Sequence, residues 1–278
     1  MVKTKVVTLA LAAFALVSCN HKGPFTFEWT KYQIDGHRTG VTVPNANNVD
    51  EALGTIENGV YTSPNGKQFS KGSTPLVAQN LRDVQPDLAR LKEVIAYAPR
   101  EMAKARPESE LSNYIVDCIR KWVADSTGRQ VDVAITNFGG IRVDLAKGDI
   151  LLDDIESMLP FNNYLCYLKL KGSDLQYWFE YMAENAPQCI SGAKLVVKDG
   201  KLESATIGGK PIDPNKYYGV GTIDFLLDGG DGLKLARNAA DYIQTDVKIC
   251  DAVLADIRRL TAEGKPLEYH TDGRFIVK

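Results

Sequence analysis

Between Ser109 and Asp125 the chain repeats one apolar face at helical spacing, and no other stretch limits the fold as much. Leu111, Tyr114, Ile115, Cys118, Ile119 and Trp122 fall at i, i+3, i+4, i+7, i+8 and i+11, the pattern of a helix that buries a single stripe. Thr127-Gly128 ends it. Val131–Thr136 then reads as a buried strand, Gly139-Gly140 as a tight turn, and Arg142 as an arginine presented just beyond. Glycine serves where backbone must turn sharply or lie against a ligand, because no Cβ intervenes. The planar, permanently charged guanidinium suits phosphate and ribose oxygens.

The remaining elements mix irregularly. Pro86–Lys104 has helical composition, with Pro99 expected to kink or split it. Leu152–Met158 reads as a short helix, Tyr164–Leu170 as a strand, and Ser173–Glu184 as a helix capped by Ser173. Ala193–Val197 and Leu202–Ile207 form a hairpin about Asp199-Gly200, followed by a Gly208-Gly209 turn. Tyr217–Thr222 is a strand, Val247–Ala262 a helix stopped by Gly264, and Arg274–Val277 a closing strand. Nearer the start, a pair of short strands is expected from Lys31 around Asp35-Gly36, while Pro44–Val49 and Ser63–Pro75 read as loops. Without steady βαβ alternation, the pattern predicts an α+β fold rather than a doubly wound sheet.

The first residues carry a leader. Lys3 and Lys5 precede an apolar run, Val6–Val17, too short to span a bilayer. It ends in Leu16-Val17-Ser18-Cys19, which resembles a bacterial lipoprotein cleavage box. The organisation expected is a lipoprotein signal peptide over 1–18, a tether over 19–30 beginning at a lipidated Cys19, and a folded domain over 31–278. More than one acyl chain on Cys19 would anchor the protein stably, outside the cytoplasm in the cell envelope. Apolar residues make up 44% and charged residues 24% of the chain, ordinary globular material. The formal charge of −2 includes both leader lysines, so no basic stripe for a nucleic-acid polymer is present. Of five cysteines, Cys118, Cys166, Cys189 and Cys250 remain after Cys19. No CxxC occurs, and three disulfide pairings or free thiols are equally open.

Three other stretches, one before the glycine turn and two after it, belong with it: Pro107-Glu108-Ser109-Glu110-Leu111-Ser112-Asn113, Leu159-Pro160-Phe161-Asn162-Asn163, and Phe225-Leu226-Leu227-Asp228-Gly229-Gly230-Asp231-Gly232. With Asn137-Phe138-Gly139-Gly140-Ile141-Arg142 they resemble, in order and spacing, the C-terminal, substrate-binding domain of the 5'-nucleotidase family. The resemblance runs from about Tyr32 to the C-terminus and is densest from Arg106 to Leu233. It implies mixed sheets packed face to face with helices outside, layered α/β/β/α. It also implies that Phe161 and Phe225 clamp a base, Asp231 in its Gly230-led loop holds a ribose, and Arg142 binds ribose and phosphate. Asn137, heading the turn with Gly139 and Gly140, would face the base. Those types suit a nucleotide: bases stack on aromatic faces, hydroxyls seek a carboxylate, and phosphate seeks arginine. By themselves a phenylalanine at an element edge is ordinarily core, and an aspartate among glycines ordinarily shapes a turn.

The chain departs from the family twice. Phe138 stands where glycine is usual, a side chain able to narrow or reshape the pocket. Ala105 stands where an arginine is usual, leaving the adjacent Arg106 to take the phosphate. Members of the family hydrolyse phosphate with a two-metal domain needing several histidines. The three histidines here, His21, His37 and His270, show no metal spacing. No cofactor is therefore expected on this chain, and the divalent metals are expected on a separate metallophosphatase partner. The reading that results is a nucleotide-binding component of a split phosphomonoesterase in nucleotide catabolism. The alternatives are a non-catalytic nucleotide- or nucleoside-binding lipoprotein and an interaction domain whose site has decayed.

Overall fold

The computed structural model describes residues 38–42, 44 and 48–278. The stretches expected to be leader and tether lie outside the described residues with Cys19, as does most of the strand pair expected around Asp35-Gly36. Residues 38–42 carry no strand. The chain divides into two compact bodies, with the described residues up to Gln79 in one and Asn80–Lys278 in the other.

In the first body, helix α1 (Val49–Leu53) precedes β1 (Thr55–Glu57), β2 (Val60–Thr62) and β3 (Gln68–Phe69), an antiparallel sheet in that order. Asn58 and Gly59 take φ of 51° and 77°, the left-handed pair that a two-residue hairpin turn requires. The buried Tyr61 donates its hydroxyl to Leu53 O at 2.9 Å and stacks on Phe69 with centroids 5.9 Å apart. That stack corrects the expectation of a plain loop over Ser63–Pro75: it lends β3 a partner, and α2 (Thr74–Asp83) already begins within the stretch.

The second body opens with α3 (Gln85–Leu88), a 3-10 turn over Ala89–Lys92, and β4 (Val94–Ala98). Pro86–Lys104 is thus not one kinked helix. Its second half pairs antiparallel with β6 (Gly148–Leu151), burying Ile95, Ala96 and Ala98, and that tertiary pairing overrides helical composition. Helix α4 (Glu110–Thr127) begins at a reciprocal cap. Ser109 Oγ accepts from Ser112 N–H at 3.2 Å, and Ser112 Oγ accepts from Ser109 N–H at 2.9 Å. Gly128, at φ 63°, closes it. Burial reaches beyond the predicted stripe to Ser112, Asn113, Val116 and Val123, because α4 packs on the sheet strands on one side and on α7 (Ile249–Ala262) on another.

The elements between are β5 (Val133–Thr136), α5 (Leu152–Met158), β7 (Tyr164–Lys171), α6 (Gly172–Glu184), β8 (Cys189–Ser191), β9 (Ala193–Lys198), β10 (Lys201–Ile207), β11 (Lys210–Pro211), β12 (Tyr217–Ile223) and β13 (Asp241–Lys248), with β14 (Phe275–Val277) last. They make a five-stranded sheet ordered β13-β7-β12-β5-β8 and a four-stranded sheet ordered β11-β10-β9-β14. The α+β expectation holds, with both sheets mixed: β12 runs parallel to β5, and β14 parallel to β9, among antiparallel neighbours.

Two details differ from the sequence reading. Ser173 does not cap α6: the helix starts at Gly172 with no side-chain cap, and Ser173 N–H donates to Pro214 O at 3.1 Å. A Cβ at Gly172 would lie 2.0 Å from Asp213 O, so close packing selects that glycine. Val247 and Lys248 close β13 rather than open α7. The four cysteines are free thiols, three buried and Cys250 half-buried.

Candidate functional site

Strand direction is what gathers the motifs. Because β5 and β12 are parallel, with Val220 opposite Val133 and Gly221 opposite Ala134, their C-terminal ends emerge at the same sheet edge. Asn137 leaves β5 there, and the 3-10 turn Asp224–Leu226 leaves β12 there. Strand β7 is antiparallel to β12, with Leu165 opposite Ile223, so its entry segment, Phe161–Asn163, arrives at that edge too. Ligands in sheets with parallel strands collect outside carboxyl ends for this reason.

Contacts within the edge are specific. Asn137, 4% exposed, donates from Nδ2 to Asp231 Oδ2 at 2.8 Å, tying the glycine turn to the Gly229–Gly232 loop. Its Oδ1 is buried with no partner in the protein. Gly139 and Gly140 sit close against these side chains, which would have to shift by a few tenths of an ångström to admit a Cβ. A Cβ on Gly139 would stand 3.3 Å from Asp231 Oδ2, and one on Gly140 3.0 Å from Asn137 Oδ1. Asp231 sits at φ 49°, a left-handed conformation that aspartate tolerates better than most residues. Gly230 lies under Phe225, where a Cβ would come within 2.7 Å of two ring carbons and 2.1 Å of the carbonyl oxygen.

Arg142 is exposed. Its backbone N–H donates to Met158 O at 2.8 Å, which draws the turn to the end of α5, just before Phe161. Its Nη1 donates to Gly139 O at 3.4 Å, and its guanidinium lies 6.0 Å from the Phe161 ring centre. Phe161 and Phe225 are 47% and 46% exposed, far from the buried state ordinary for phenylalanine. A void of about 10 Å³, lined by Asn137, Gly140, Phe161 and Asn163 among others, has the size that one water needs.

Arg106 is exposed, donates from Nε to Pro187 O at 3.1 Å, and lies 4.8 Å above the Phe138 ring. Phe138 is 3% exposed and belongs to the hydrophobic core. Its ring therefore fills the interior beneath Arg106 instead of projecting into open space. Lys104 donates from Nζ to Ile141 O. Lys104 and Asn163 were missed in the sequence. Lys104 lies in a stretch of helical composition, and Asn163 ends its motif with no local signal of where its side chain goes.

A larger cleft, about 830 Å³, lies apart from these residues, between α4, the β8–β9 corner and Arg274. The Arg274 guanidinium there is already taken by Asp117 at 2.8 Å and Asp272 at 2.9 Å. Size alone does not make that cleft a ligand site; the candidate edge instead combines arginines that have no ion pair among the described residues, exposed rings and a carboxylate. Among the described residues, no cluster of three or more His, Cys, Asp or Glu side chains is placed to hold a metal ion, and no helix is long and apolar enough to cross a membrane.

Residues 88–237 match the family model described as 5'-nucleotidase, C-terminal domain. The chain belongs to that family. It is 31% identical to Protein UshA of Escherichia coli over 140 residues, covering 49% of this chain and 25% of that protein. It is 30% identical to the cell wall protein Lmo0130 of Listeria monocytogenes over 188 residues, covering 62% of this chain and 24% of the relative. The chain thus spans about a quarter of the length of these curated relatives. Its fold is shared with a 5'-nucleotidase precursor from Thermus thermophilus, with a TM-score of 0.63 at 24% identity over 73% of this chain and 43% of the other.

Proposed function

We propose that this chain is the nucleotide-binding component of a split 5'-nucleotidase, presenting nucleoside phosphates to a metallophosphatase carried on a separate chain. The observation that carries the reading is the 2.8 Å hydrogen bond between Asn137 and Asp231, which joins two glycine-rich loops at a sheet edge flanked by two half-exposed phenyl rings. Phe161 and Phe225 stack on the base, each such contact worth about 1–3 kcal/mol. Asp231 accepts from ribose hydroxyls, and Arg142 with Arg106 takes the phosphate through charge-assisted bonds. Asn137 Oδ1, buried without a protein partner, is an acceptor for a donor on the ligand.

The chain's own residues bind and orient. The divalent metals that would activate water and clamp the leaving oxygen belong to the partner. Lipid attachment at Cys19 and display outside the cytoplasm complete the proposal, in keeping with a relative named as a cell wall protein. The experiment is phosphate release from AMP by the purified chain, by a metallophosphatase from the same cell, and by the two together. Release only in the mixture supports the split enzyme. Saturable AMP binding with no release in any mixture supports the non-catalytic binding protein instead.

A further inference from the structure

Three cations hang on the turn from Asn137 to Arg142, and each is held by a neutral group. Lys104 Nζ donates to Ile141 O, Arg142 to Gly139 O, and Arg106 to Pro187 O. Arg120 is held in the same way, by Val131 O at 3.1 Å, but four other arginines are paired with acids. Arg90, Arg100, Arg259 and Arg274 pair with Glu156, Glu110, Asp256 and Asp117. Of the two carboxylates at the turn, Asp144 accepts from the Lys104 backbone N–H at 2.8 Å and Asp231 from Asn137 Nδ2 at 2.8 Å; among the described residues neither forms an ion pair with these three cations. Charge at this turn is oriented but not cancelled.

Arg106 carries the most elaborate hold. Pro187 and Gln188, adjacent in sequence, grip both members of its stack: Pro187 O takes the Arg106 Nε–H at 3.1 Å, and Gln188 Oε1 takes the Phe138 backbone N–H at 3.1 Å. The Phe138 ring is thereby fixed 4.8 Å beneath the guanidinium. An aromatic face attracts a cation without neutralising it, so the ring restricts where the charge goes and leaves it free for an anion. Asn137 and Gly139, on either side of Phe138, both lie against Asp231. The stack is therefore built into the turn that lines the candidate site.

We propose that Phe138 is a positioning residue: its buried ring is the shelf that holds Arg106 at the site, and the pair sets the preference for a phosphorylated ligand over its neutral nucleoside. The inference rests on the nucleotide reading and deepens it, since Phe138 acts only through Arg106 and only on the anionic part of the ligand.

The test is calorimetric titration of the full chain with AMP and with adenosine. The proteins are wild type, Phe138→Leu, Arg106→Gln and the double variant, each checked for folding by its melting curve. Losing the ring should weaken AMP about two- to fivefold, as expected for an exposed cation–π contact, and leave adenosine unchanged. Arg106→Gln should weaken AMP about tenfold or more, again with adenosine unchanged. In the Arg106→Gln background, Phe138→Leu should cause no further loss, because coupled residues are non-additive. Equal losses for both ligands, no loss for AMP, or a full second loss in the double variant would each overturn the proposal while leaving the nucleotide reading in place. Failure of the wild type to bind either ligand would overturn both. Should Phe138→Leu not fold, Phe138→Met removes the ring with a more adaptable side chain and is judged by the same ratios.

Discussion

Replacing Asp231 tests whether its contact with Asn137 holds the site together. The side chain accepts from Asn137 Nδ2 at 2.8 Å, and Asn137 is 4% exposed with its oxygen already unpartnered. Asp231→Ala strands the second end of that amide. A hydrogen bond to a charged group is worth about 1.5–3 kcal/mol, and the exposure of Asp231 argues for the lower end. Alanine at φ 49° adds about 1 kcal/mol of left-handed strain. Together these give about 2.5 kcal/mol, or roughly 5–10 °C in melting temperature for a domain of this size. Asp231→Gly removes the bond but not the conformational fit, so it should fall about half as far. Asp231→Asn keeps an acceptor oxygen and tolerates the conformation, so it should melt near wild type. Thermal unfolding followed by circular dichroism reads all three. If the alanine and asparagine variants melt together, the contact does not hold the loops and the reasoning is wrong.

Gly230→Ala should drive a Cβ into the Phe225 carbonyl, 2.1 Å away, displacing the ring; AMP affinity should fall at least as far as in Phe225→Ala, measured by titration. Burial, with the nearby acids Asp251 and Glu156, pushes the Cys250 thiol up to about 11. Its alkylation by iodoacetamide should then be slow at pH 8 and rise about tenfold per pH unit toward 11, because only the thiolate reacts; a plateau near pH 9 would contradict the burial. The Arg274 guanidinium holds the Asp272 carboxyl below its ordinary value. Its contribution to stability is therefore present above the ordinary carboxylate range and lost as pH falls through the depressed value. Asp272→Asn should flatten that part of the acid limb in urea midpoints measured from pH 5 down to pH 2.5.

Local signals were legible wherever a segment's own residues decide its structure. Helix α4 follows from its apolar period and the glycine at its end. The β9–β10 hairpin follows from Asp199 and Gly200, which sit at φ 50° and 71°. Strand β13 is hard to read because, at a sheet edge, its exposed face carries the aromatic Tyr242 with Gln244 and Asp246 while its half-buried face carries Asp241 and Thr245 beside Ile243 and Val247, so polar and apolar residues do not alternate cleanly. Strand β4 was read as helix because only its pairing with β6 distinguishes the two. The site divides the same way. Its residue types could be named from motifs, but Asn137 and Asp231 meet across 94 residues of sequence through a parallel pairing that no local pattern announces. The Phe138 shelf was opaque for a related reason: a phenylalanine in place of glycine suggests obstruction until its ring is seen buried under Arg106.

The most direct measurement of the central claim is a set of intermolecular NOEs between adenosine and the full chain, with phenylalanine rings selectively labelled and assigned through Phe161→Leu and Phe225→Leu. The account predicts contacts from the adenine H2 and H8 protons to both rings. Saturable binding with contacts to neither ring would contradict it.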